Sequence, residues 1–168
     1  MINLLIGITA GYLVAIFLFS RFFIPHLGFR KDKLPENIPA DLNKKISEIA
    51  KKSKSSYEFL QQTYDFLGTK YHAERFNTFL RFYGLFESLD EVWKKSGFLH
   101  CTQMNYLMRI FLVQGGFFKD KDIKVKHTFA NFCIHQYLKV HVDGKWVAVD
   151  AGEKIRGMDI GKHLWGFG

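Results

Sequence analysis

The feature that most constrains the fold is the pair Asp143-Gly144. It separates two alternating runs, Ile134 to Val142 and Lys145 to Asp150, both rich in β-branched and aromatic side chains. A two-residue Asp-Gly loop is a strong hairpin signal, because the favoured turn needs positive φ at both central positions. Loop length then sets the register. Val142 is expected opposite Lys145, His141 opposite Trp146, Val140 opposite Val147 and Tyr137 opposite Asp150, with His135 diagonal to Asp150. Since side chains alternate, His135, Tyr137, His141, Trp146 and Asp150 share one face, and Ile134, Leu138, Val140, Val147 and Val149 share the other. Diagonal neighbours lie roughly 7–8 Å apart at Cα, which lets an imidazole and a carboxylate lean together. The hairpin thus offers an oriented His–Asp pair. Its other face is apolar and needs a cover, for which the helices between Asp41 and Gly68 or the aromatic stretch after Lys70 are the candidates.

Upstream, Met104, Leu107, Met108, Phe111 and Leu112 repeat at helical spacing, and Gly115-Gly116 supplies a stop. Cys101 opens this helix. Amide N–H groups without intrahelical partners and the positive end of the helix dipole favour a thiolate there and can hold a developing oxyanion. A lone cysteine at such a place is more often a small buried hydrophobe; the His–Asp hairpin downstream is what turns the reading toward a nucleophile. His135 is the better candidate base, because His141 lies by the turn opposite Trp146, far along the strand from Asp150.

A cysteine that starts a helix, then a histidine followed two residues later by an aromatic, then a Gly-x-Trp hairpin ending in aspartate, resembles the transglutaminase-like superfamily over about residues 45 to 168. Cys101 matches the family's nucleophile, His135 its general base and Asp150 the carboxylate that orients the histidine. Tyr137 stands where the family usually has tryptophan, Leu99 where it often has glycine, and Ala151 where it often has proline. The resemblance implies a papain-like α+β core and a thioester acyl-enzyme formed on an amide substrate, resolved by water in a protease or amidase and by an amine in a crosslinking acyltransferase. A protein or peptide is the implied substrate. A second oxyanion donor is also implied, with Trp93 and Gln103 as candidates by chain proximity; His100, Tyr137 and Trp146 are candidate pocket residues. The other reading left open is a membrane-tethered interaction module that keeps the fold without turnover.

Residues Ile2 to Ser20 carry no charge and are dominated by Leu, Ile, Val, Phe and Ala, a run long enough to cross a hydrocarbon core of about 30 Å. The sequence therefore predicts a transmembrane anchor over 1–24, a juxtamembrane linker over 25–40 and a folded domain over 41–168. Ser20-Arg21-Phe22-Phe23 is a poor cleavage site, so the anchor is expected to be retained. Arg21, Arg30, Lys31 and Lys33 all follow the apolar run, which by the positive-inside tendency puts the domain in the cytoplasm. With the cluster Lys44, Lys45, Lys51, Lys52 and Lys54 they account for much of the net charge of +8 and suit contact with anionic lipid. Nucleic acid is not expected as a partner, since Asp41, Glu48 and Glu58 interrupt the basic residues and no base-reading motif occurs.

Helices are expected over 41–53, over 55–68 with a Ser55/Glu58 capping box, and from Ser88 to Gly97, followed by strands over 122–128, 134–142 and 145–150. Helices first and strands last make the class α+β. The two cysteines, Cys101 and Cys133, give no disulfide framework. Cys133 and His135 are one Cys-x-His pair without a second, so no metal is expected, and no cofactor. His163, near the end of the sequence, reads as a surface residue.

Overall fold

The computed structural model describes residues 2–14, 31–130 and 133–166, with the backbone alone at Arg75, Phe76, Phe79, Phe82 and Cys133. Helix α1 spans Ile2–Val14 and buries none of its residues. At 1.5 Å per residue it is about 20 Å long, and among the described residues no helix is long and apolar enough to cross a membrane. The rest of the expected anchor, residues 15–24, and the linker to residue 30 lie outside the described residues.

Helices α2 (Ala40–Lys52) and α3 (Ser56–Lys70) bury Leu42, Ile46 and Ile49 from one and Phe59, Leu60, Tyr64 and Leu67 from the other. Ser55 caps α3 by accepting from the Glu58 amide at 3.1 Å, while the Glu58 carboxylate accepts from the Lys54 amide at 2.7 Å. Gly68 does not end α3, as its position in the sequence predicts. A Cβ there would lie 2.6 Å from Lys154 Cδ and 3.1 Å from the Ala151 carbonyl oxygen. The glycine serves a close approach, so that the segment after Asp150 can lie on the helix.

The aromatic stretch holds strand β1 (Tyr71–His72), helix α4 (Arg75–Leu80) and a 3-10 turn, Phe82–Phe86. Helix α5 (Leu89–Lys94) starts at the expected Ser88, with a Ser88/Glu91 capping box, but ends at Lys94 before Gly97, which belongs to strand β2 (Gly97–Phe98), paired parallel to β1. Helix α6 (Cys101–Gln114) follows. Gly116, at φ +79°, is the left-handed stop, whereas Gly115 keeps a helical φ and makes room for the Phe59 ring, which a Cβ would meet at 2.2 Å.

Strands β3 (Ile123–Ala130), β4 (Cys133–Val142) and β5 (Lys145–Val149) form an antiparallel sheet in the order β3-β4-β5. The register of β4 with β5 is the expected one, Val142 opposite Lys145 through Leu138 opposite Val149, with Asp143 and Gly144 both at positive φ. The mixed helix and sheet architecture is α+β. Leu138, Val140 and Val149 are fully buried in one core with α2, α3 and α6, and it is α6 itself, with α3 behind it, that packs on β4 as the cover of the apolar face.

Candidate active site

β5 stops at Val149, opposite Leu138, so β4 continues past it without that partner. There the three candidate residues meet. Asp150 Oδ2 accepts from His135 Nε2 at 2.7 Å, and both side chains are buried, Asp150 at 2% and His135 at 7% exposure. The Cys101 side chain interacts with the ring as well and helps to raise its pKa. With Nε2 committed to the carboxylate, Nδ1 is the ring nitrogen that Asp150 leaves available. Burial opposes a charge on His135, but the hydrogen bond to Asp150 and the interactions with Cys101 and the Asp150 charge outweigh it, and the imidazole pKa is pushed up to about 11. Cys101 itself is half-buried, free of any disulfide, and the first residue of α6.

Two short contacts hold the approaches to this site. The Leu99 amide donates to the His72 carbonyl at 3.1 Å, and the Ala73 amide donates to the Gly152 carbonyl at 2.9 Å. The end of β1, His72 and the following Ala73, thus ties the chain entering Cys101 to the chain leaving Asp150. One turn into α6, Asn105 Nδ2 donates to the Gln136 carbonyl at 2.7 Å, and the Gln136 side chain lies 3.3 Å from His127 Nε2. This pins the N-terminal end of the helix to β4 beside His135. Burial, and then the charge of His135, lower the pKa of His127, which keeps a second cation away from the pair.

The other residues singled out from the sequence are placed as follows. Trp93 donates its indole N–H to Asp41 Oδ2 at 2.7 Å and its ring packs on Phe66 and Phe111, so it is a core residue rather than an oxyanion donor. Gln103 donates to the Gly84 carbonyl at 2.7 Å and accepts from the His100 amide at 3.3 Å; its amide is spent on capping α6. The candidates that remain for such a donor are the first backbone N–H groups of α6, which have no intrahelical partner. His100 is buried, its ring 3.0 Å from the Arg81 carbonyl oxygen, and it lines a cavity of about 250 Å³ with Arg81, Glu87, Lys95, Phe98 and Gln103. Burial lowers its pKa. Trp146 and His141 pack together at the turn end of the hairpin, ring centroids 5.2 Å apart, with Lys124 over the indole at 3.9 Å. Trp146 therefore belongs to the hairpin tip. Tyr137 is in the site, stacked on His163 at 4.0 Å between centroids.

His163 is the residue that sequence reasoning misplaced on the surface. Asp150 Oδ2 also accepts from the Leu164 amide at 3.0 Å, a main-chain contact that no side-chain pattern announces. The Cys133 side chain lies outside those described, and among the described residues no group of three or more His, Cys, Asp and Glu could hold a metal ion. No family model matches the chain, and neither a curated protein nor a solved structure matches it.

Proposed function

We propose that this chain is a membrane-anchored cysteine hydrolase or acyltransferase with a transglutaminase-like, papain-like core, acting on amide bonds of proteins or peptides. The observation that carries the reading is the buried 2.7 Å hydrogen bond between His135 and Asp150, with Cys101 at the N-terminus of α6 interacting with the same ring and both partners raising its pKa. A cationic His135 facing sulfur favours the thiolate, which attacks the amide carbonyl carbon. The oxyanion that forms lies toward the first N–H groups of α6. As the C–N bond breaks, His135 gives its proton to the leaving amine, and a thioester on Cys101 remains. Water or an acceptor amine then attacks the thioester, His135 takes the proton of the attacking group, and the thiolate is released. Asp150 holds the ring orientation and the imidazolium charge throughout.

What supports the anchor is α1, apolar on every side and exposed along its whole length, with no charged residue. Cytoplasmic orientation follows from the basic residues behind it. The test is intact-mass spectrometry of the full chain in detergent after incubation with an activated acyl ester. An acyl adduct on the wild-type chain, absent from Cys101→Ser and strongly slowed in His135→Ala, is expected; added hydroxylamine and primary amines then divide the adduct between hydrolysis and transfer. An adduct that survives Cys101→Ser removes the assignment.

A further inference from the structure

The last described residues form a strap across the sheet. The Gly161 amide donates to the Ala148 carbonyl on β5 at 2.8 Å, and the Gly166 amide donates to the Phe129 carbonyl on β3 at 2.9 Å. β4 lies between those strands. Two strand spacings, about 10 Å, are thus crossed in five residue steps, and both anchor glycines are left-handed, at φ +99° and +68°. Over β4 the strap makes two contacts with the site. The His163 ring lies flat on Tyr137, 4.0 Å between centroids and 10° between planes. The Leu164 peptide N–H donates at 3.0 Å to the same Asp150 oxygen that accepts from His135 Nε2 at 2.7 Å.

A buried carboxylate with only the imidazole as partner could rotate about its Cα–Cβ and Cβ–Cγ bonds, and a second donor from the main chain fixes the oxygen that matters. A backbone donor has no rotamer of its own. Its place is set by what holds the strap, and over the site that is the His163–Tyr137 stack together with the two glycine anchors. Tyr137 is also buried and two residues from His135 on the same strand, so the stack and the base share one face of β4.

We propose that the segment Gly161–Gly166 is a positioning element of the active site: the Leu164 N–H fixes the Asp150 carboxylate toward His135, and His163 stacked on Tyr137 fixes that N–H. This rests on the proposed cysteine chemistry for its meaning but not for its test. Neither His163 nor Leu164 touches the reacting atoms in this scheme. Their effect passes through the orientation of His135 and hence through how firmly that ring keeps its proton.

The test uses the full chain in detergent with His163→Ala, His163→Phe and Leu164→Pro, the last deleting the N–H. Two readouts are taken: histidine Cε1–H chemical shifts against pH, and the rate of Cys101 alkylation by iodoacetamide at pH 6. Wild type is expected to keep His135 protonated to pH 9. His163→Ala and Leu164→Pro are expected to move its midpoint below 9 and to slow alkylation about tenfold, with His163→Phe restoring both because a flat ring can still stack. The unfolding midpoint in urea accompanies each variant, so that a change confined to His135 in a folded chain is distinguished from lost stability. If Leu164→Pro does not fold, the His163→Ala and His163→Phe pair decides. An unchanged His135 titration in folded His163→Ala, or the same loss in His163→Phe as in His163→Ala, overturns the proposal. Should wild-type Cys101 label no faster than in His135→Ala, the catalytic reading fails, and the titration arm still judges the strap.

Discussion

Asp150→Asn isolates charge from shape, because asparagine can keep an oxygen where Oδ2 accepts from His135 and Leu164. What is lost is the negative charge beside a buried imidazolium. Two charges about 4 Å apart at an effective dielectric near 20 attract by about 4 kcal/mol, in line with the roughly 3–5 kcal/mol measured when one partner of a buried pair is removed. Four kcal/mol is about three pKa units, so His135 should surrender its proton near neutral or mildly basic pH instead of about 11. The sign of the stability effect follows. His135 has a folded pKa above its unfolded value of about 6.5, so its contribution is complete below that pH and disappears as pH rises through about 11. The variant should therefore be less stable than wild type by about 4 kcal/mol at pH 6 and by only about 1 kcal/mol at pH 10. Urea unfolding of both proteins at the two pH values, followed by tryptophan fluorescence, measures this. Equal destabilisation at pH 6 and pH 10 would refute the reasoning, because it would mean that His135 gains nothing from a charged partner.

Three further outcomes are expected. Gly68→Ala should lose roughly 1–3 kcal/mol in urea unfolding instead of gaining the ~1 kcal/mol that alanine brings to a helix, since its Cβ would meet Lys154 and Ala151 at 2.6–3.1 Å; a stabilised variant would contradict the close approach. Arg109, 2% exposed on α6, donates to the Asp32 carbonyl at 2.8 Å and to Asp120 at 3.1 Å, so Arg109→Ala should cost roughly 1.5–3 kcal/mol by the same measurement. Fractionation of cells making the full chain or a chain without residues 2–24 should find the first in the membrane pellet and the second in the supernatant, and a full chain in the supernatant would remove the anchor.

The parts of the fold that were legible in the sequence are those set by local chemistry. Asp143-Gly144 dictates a turn whose geometry fixes every pair from Val142 to Leu138, and the Ser55 cap and the Gly116 stop mark helix ends by their own hydrogen bonds and φ. The His135–Asp150 pair was legible for the same reason, since register decides which side chains of a hairpin can meet. Illegible were contacts made across the chain by main-chain atoms. β1 and β2 are two residues each and leave no periodicity to read, yet Leu99 and Gly152 are tied to the successive residues His72 and Ala73 at the end of β1. Trp93 and Gln103 look available beside Cys101 in sequence, and only tertiary packing commits them to Asp41 and Gly84. His163 and Leu164 sit in a Gly-rich tail whose composition reads as exposed, and Trp165 beside them is indeed 73% exposed; what brings the two to the site is the pairing of Gly161 and Gly166 with opposite edges of the sheet.

The central claim is that Cys101 is a nucleophile activated by His135, and its most direct test is the rate at which a limiting thiol reagent modifies each cysteine at pH 6, read by intact mass. Cys133→Ser, which keeps Cys101, should be modified at least about tenfold faster than Cys101→Ser, which keeps Cys133, and the advantage should vanish when His135→Ala is added. Equal rates for the two cysteines, or an advantage of Cys101 that survives His135→Ala, would contradict the account.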